Sequence, residues 1–283
     1  ASRVNSPTIK EYNEAFAFCN AVRSVVTKDT PIDVVIDVAG GHGALAALFL
    51  VFTEASVAIV VDPADVSGKD GVQRAWREDF LGSKVLQYRH ECLRKALPEE
   101  LAKAIRTTGD PSRVLVVACH ACQHLSEETL AISCRFGAHV AVMPCCQKDS
   151  TRMWKSTCKT LGVPFPIAMD LLLVGKAMSW EVGKEANVYY DVRVRTIDKS
   201  ITPQNRVIIC KSNSLKGENL LAQRREVAHR KLQTTYERAH ANSRRHAAGK
   251  RNAREILLYT VLLGSGVGVG CVLGAWGSQR KYN

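Results

Sequence analysis

The chain has 283 residues, enough for one α/β domain of about 200 residues with appendages. Its 46% hydrophobic and 23% charged residues exclude a mostly disordered chain, and ten cysteines without regular spacing exclude a secreted disulfide scaffold and point to a reducing compartment. The net charge of +12 favours anionic partners, either nucleic acid or an anionic membrane surface.

Residues 7–26 read as an amphipathic helix, with Tyr12, Phe16, Cys19, Val22 and Val26 at helical spacing. Strand and helix signals then alternate. Strands are predicted over 32–38, 57–62, 84–89, 113–119 and 138–143, each short and apolar, as strands buried on both faces must be. The first runs into Ala39-Gly40-Gly41-His42-Gly43, and residues 44–51 read as the helix that follows. The second ends on Asp62, about twenty residues on, where a carboxylate can take ribose hydroxyls. This is the minimal machinery for holding a nucleoside cofactor on a parallel sheet. After Asp170 the pattern changes: 188–197 and 206–211 are β-rich runs joined by a turn-rich link, as an antiparallel pair closing one sheet edge would be.

Beyond the 1–213 domain the chain changes character. Residues 214–255 read as a long basic helix, with ten Lys/Arg between Leu220 and Glu255 against Glu226, Glu237 and Glu255. So one-sided a run suits contact with anionic lipid or RNA. Residues 256–276 hold no charge and have the length of one bilayer crossing, with Tyr259 and Trp276 near its ends. Gly264, Gly266, Gly268, Gly270 and Gly274 give a small-residue face for other transmembrane helices, which suggests a subunit of a larger assembly. Residues 277–283 form a tail. The larger basic cluster before the span places the globular domain on the cytosolic or matrix-like side. No secretory signal opens the chain, and the start at Ala1 rather than Met suggests a trimmed N-terminus. With the basic composition, this fits a mitochondrial or plastid membrane assembly, with the mitochondrial inner membrane as the expected setting.

The glycine pattern is not the dehydrogenase G-x-G-x-x-G. Asp37-x-Ala39-x-Gly41-x-Gly43 resembles motif I of class I S-adenosylmethionine (SAM) methyltransferases, with alanine for the first glycine. That resemblance implies a Rossmann-like, mostly parallel sheet with an antiparallel last strand inserted beside the fifth. It also implies SAM as cofactor: Asp37, Gly40, Gly41 and Gly43 cradle its methionine part, Asp62 holds the ribose and Glu91 lies near the adenine. Further along, His120-Ala121-Cys122, Met143-Pro144-Cys145-Cys146 and Ile201-Thr202-Pro203-Gln204-Asn205-Arg206 resemble elements of a family that includes the tRNA acceptor-stem 2′-O-methyltransferases. The Asn/Asp-Pro-Pro-Tyr element of amino-methyltransferases is absent; the site reads Ala118-Cys119-His120-Ala121-Cys122.

If strands four and five are neighbours, His120, Cys122, Pro144, Cys145 and Asn205 line a substrate pocket beside the cofactor crevice, with His120 the candidate base. Cys119, Cys122, Cys145 and Cys146 are the candidate metal ligands, but they lack the paired spacing of structural zinc sites, so no metal is expected. Two readings of function stand: a membrane-tethered SAM-dependent methyltransferase of unknown acceptor, and a catalytically silent methyltransferase-fold subunit of an organellar membrane complex. An Asp62 carboxylate spent on protein groups would favour the second.

Overall fold

The computed structural model describes residues 7–65, 69–121, 124–147, 153–179 and 188–214, together with Arg230, Thr234 and Glu237. The basic run, the apolar span 256–276, the tail, Cys122 and Lys148 lie outside the described residues, apart from those three positions. Two compact units are distinguished: Ala1–Lys148 with Trp180–Ser214, and Asp149–Ser179 with Leu215–Asn283.

In the first unit, α1 (Ile9–Val26) opens with a capping box, in which Thr8 Oγ1 accepts from the Glu11 N–H and the Glu11 carboxylate accepts from the Thr8 N–H. Seven strands follow: β1 (Val34–Val38), β2 (Val57–Val61), β3 (Val85–Arg89), β4 (Val114–Cys119), β5 (His139–Met143), β6 (Val188–Thr196) and β7 (Arg206–Ser214). They lie in the order β3-β2-β1-β4-β5-β7-β6; β1 to β5 are parallel, and β7 is antiparallel to both β5 and β6. This is the expected mixed sheet, with the last strand beside the fifth.

The order reverses between β1 and β4, so the loops that leave their carboxyl ends run to opposite faces, where sheets of this kind form a crevice. Right-handed crossovers then put helices on opposite faces. Helix α2 (Ala44–Phe52), on the way from β1 to β2, shares the core of one face with α1, while α4 (Leu93–Thr108) and α5 (His124–Phe136) pack together on the other. A further helix, α3 (Lys69–Trp76), precedes β3 and runs into a wider π-type turn at Arg77–Leu81. β1, β4 and β5 are almost wholly buried, which is why they read as unbroken apolar runs.

One reading of α1 needs correction. Phe16 is not on its buried stripe: it is 47% exposed and meets Phe52 edge to face at 5.7 Å. The buried residues are Glu14, Ala15, Phe18, Cys19, Val22, Val25 and Val26.

The described part of the second unit is a pair of helices, α6 (Met153–Leu161) and α7 (Phe165–Ser179). Among the described residues no single helix is long and apolar enough to cross a membrane; by length and composition, one pair bent by 109°, Trp154–Leu161 with Phe165–Met178, passes the same test.

Candidate functional site

Asp37, the glycine loop, Asp62, His120, Pro144 and Cys145 lie at or just beyond the ends of β1, β2, β4 and β5. Asp37, the fourth residue of β1, is 1% exposed, and its Oδ2 accepts from the Ala46 N–H at 3.2 Å in the first turn of α2. Burial pushes its carboxyl up to about 8; the Ala46 hydrogen bond pulls the other way and the Asp62 charge adds to the rise. Past β1 the backbone enters the left-handed region at Ala39 (φ 55°), whose N–H donates to Val61 O at 2.9 Å and ties the loop to β2. The loop closes on itself through the Gly43 N–H to Gly40 O bond at 2.8 Å.

Gly41 and Gly43 serve this loop differently. Both have positive φ, 51° and 76°. A side chain at Gly41 would meet nothing within 4 Å, so its backbone borders open space. At Gly43, a Cβ would stand 2.2 Å from the Tyr88 hydroxyl. That hydroxyl donates to His42 O at 2.5 Å and props the loop from β3. Burial raises the phenol to about 12, so it stays a donor.

Asp62 bridges the loops. Its Oδ2 accepts from the Gly41 N–H at 3.1 Å and its Oδ1 from the Ala64 N–H at 2.9 Å. Each carboxylate oxygen offers two lone-pair directions, so this holds the group in place while one direction on each oxygen stays open for ligand hydroxyls. Glu91 follows β3 as expected, but its carboxylate is engaged by Arg89 and Lys95.

On the other side of the crevice, His120 follows β4 with φ 61°, its N–H donating to Met143 O at 3.2 Å. The Cys145 thiol lies 3.7 Å from His120 O and 3.5 Å from Cys146 Sγ, and Pro144 is buried. Burial pushes the Cys119 thiol well up, with the charges of Asp37 and Glu14 adding to it. Among the described residues no three His, Cys, Asp or Glu side chains converge as a metal site.

Asn205 was expected in the substrate pocket. It is buried, its Nδ2 donating to Ile197 O at 2.6 Å and its backbone carbonyl accepting from the Ile197 N–H, so side chain and main chain together close the β6–β7 link.

Two contributors were not anticipated: Tyr88, and Glu14 of α1. Glu14 is buried, and its Oε2 lies 2.9 Å from His120 Nε2, an ion-pair contact rather than a well-aligned hydrogen bond. A charged residue on the apolar stripe of α1 was the signal available in the sequence.

Residues 8–152 match the family model described as a methyltransferase domain, just over half of the chain. The chain belongs to this methyltransferase family. No curated protein matches it by sequence. Among solved structures, it is similar to an O-methyltransferase family protein from Burkholderia thailandensis (13% identity, TM-score 0.42, covering 74% of this chain and 58% of that one). Mitomycin 7-O-methyltransferase is similar at 12% identity and TM-score 0.40, with 71% and 54% covered. Magnesium protoporphyrin IX methyltransferase from Synechocystis, a structure with bound SAH, is similar at 11% identity and TM-score 0.39, with 75% and 90% covered. The chain thus spans little more than half the length of the first two. Identities this low carry no residue roles.

The cofactor of such a domain is SAM, and the residues present fit it. Gly41 leaves the loop open toward the crevice, and Asp62 is held ready at the end of β2. Asp37, Gly40, Gly41, Gly43 and Asp62 are the residues that would hold it. When bound, it supplies an electrophilic methyl group on a sulfonium that leaves as a neutral thioether.

Proposed function

We propose that this protein is a membrane-tethered methyltransferase that takes its methyl group from SAM and presents the acceptor at the β4–β5 edge. The observation that carries this reading is the glycine loop of a methyltransferase domain, whose Gly41 backbone borders open space at the end of β1. His120 is the acceptor-side base, and Cys119, Pro144 and Cys145 shape the wall around it. The basic residues between Leu220 and Glu255 favour an anionic acceptor or surface, and the resemblance of Pro144-Cys145-Cys146 and Thr202–Arg206 to tRNA-modifying enzymes supports RNA as the acceptor class. The uncharged run 256–276 is the tether, and its glycine face packs against other transmembrane helices.

The second reading, a silent accessory subunit of a membrane complex, is favoured by the two protein N–H groups already on Asp62. Full-length protein incubated with methyl-tritiated SAM and the RNA, protein and lipid fractions of a cell separates the two. Label entering one fraction, and lost with Asp62→Ala, supports the enzyme; a folded protein that labels none supports the subunit. For the tether, retention in the pellet after carbonate extraction is the expected result, and release without detergent would refute insertion.

A further inference from the structure

We infer that Glu14 is a positioning residue for His120, holding the proton on Nε2 so that Nδ1 keeps the lone pair that receives the acceptor's proton. This deepens the methyltransferase reading and rests on it.

The helix itself makes the case first. The buried stripe of α1 runs through Ala15, Phe18, Cys19, Val22, Val25 and Val26, and Glu14 is its one charged member. Its side chain is 4% exposed, and Oε1 is buried without a hydrogen-bond partner; Lys10 Nζ lies 3.7 Å away. A buried carboxylate costs several kcal/mol unless it is paired, so an apolar residue here would serve the fold better. What Glu14 does touch is His120, with 2.9 Å between Oε2 and Nε2.

The second part is the placement of His120. It sits in a left-handed backbone conformation at the end of β4, next to the reversal point of the strand order, and its N–H is bound to Met143 O on β5. A non-glycine residue held there is a mark of a constrained functional position. Nε2 is buried and makes no aligned hydrogen bond among the described residues, so the Glu14 carboxylate acts on it through charge at 2.9 Å, yet the side chain as a whole is 32% exposed. Among the described residues no hydrogen bond is made to Nδ1.

The chemistry follows. An acceptor that keeps its proton at neutral pH, as a hydroxyl does, must lose it as its oxygen bonds to the methyl carbon. The proton passes to Nδ1, the ring becomes imidazolium, and the Glu14 carboxylate balances that charge. The neighbouring Cys119 cannot compete for the role, because burial keeps its thiol protonated.

The test uses full-length protein with 15N-labelled histidine, in detergent. The expected result is an imidazole 15N signature with Nε2 protonated and Nδ1 bare, which His120→Gln removes and so assigns. Glu14→Leu should abolish it without lowering the unfolding midpoint, because leucine continues the apolar stripe. Glu14→Gln, of nearly equal volume, should keep the fold, mix the two ring tautomers in that signature, and slow methyl transfer to the labelled fraction about 10- to 100-fold while SAM affinity stays within about twofold. A His120 ring protonated on Nδ1 in the wild type, or a signature and rate unchanged in Glu14→Gln, overturns the inference. Failure of the parent reading shows differently, as no SAM binding by the wild type whatever the signature does.

Discussion

The Tyr88 hydroxyl occupies the space that a β-carbon on Gly43 would need. The contact couples the edge strand β3 to the turn that starts α2, and Tyr88 donates to His42 O within that same turn. The shape of the cofactor loop is therefore set from across the sheet as well as by its own glycines.

Gly43→Ala should destabilise the domain by about 2–4 kcal/mol, part from a side chain at φ 76° and part from the clash with Tyr88. Tyr88→Phe alone should cost about 1 kcal/mol for the lost hydrogen bond. The double variant should be less damaged than the sum, because phenylalanine removes the clashing oxygen. Denaturant unfolding of the four proteins checks this. Strict additivity would mean that the loop moves away rather than pressing on the ring.

Asp37 gives a pH dependence with a definite sign. Its carboxyl is raised to about 8 by burial, with the Asp62 charge contributing, against an unfolded value of 3.8. Between these values the folded state binds the extra proton, so stability falls as pH rises from about 4 to about 8. Asp37→Asn should flatten that slope and stabilise the protein at pH 7 by about 2 kcal/mol, while weakening SAM binding. An unfolding midpoint lowered equally at pH 5 and pH 8 would contradict it.

His139 acts in the opposite direction at the other end of β5. It is 1% exposed, and Nδ1 accepts from the Ser212 N–H at 2.9 Å. Burial, helped by the Lys211 charge and opposed by that of Asp110, lowers its value from 6.5 to about 4. The unfolded chain binds the proton more readily in that interval, so the contribution is fully present above pH 6.5 and is lost as pH falls toward 4, by up to about 3 kcal/mol. His139→Asn, which keeps an acceptor for Ser212, should remove this acid sensitivity. An unchanged acid-unfolding curve would contradict it.

The five parallel strands were legible because burial on both faces leaves an apolar signature that few other elements share. The antiparallel end was legible from the turn-rich link before Arg206. The face of α1 was not. Phe16 and Phe18 sit on stripes that share Cys19, Val22 and Val26, and a large aromatic drew attention from the small Ala15. Glu14 was hidden because periodicity counts apolar residues and passes over the charged one among them. The bond of Asn205 to Ile197 was not legible, because a motif names a short polar amide beside a turn without showing which backbone partner it takes. Tyr88 was invisible for another reason: its partner at His42 is 46 residues away, and only the sheet brings them together.

The central claim is that the Asp37–Asp62 crevice holds SAM, and titration calorimetry of SAM into the detergent-solubilised full-length protein tests it most directly, with Asp62→Ala as the control. Binding in the micromolar range, weakened at least tenfold by Asp62→Ala in a protein that still folds, is the expected result. A folded wild type that gives no binding heat at several temperatures, or equal affinity in the variant, would contradict it.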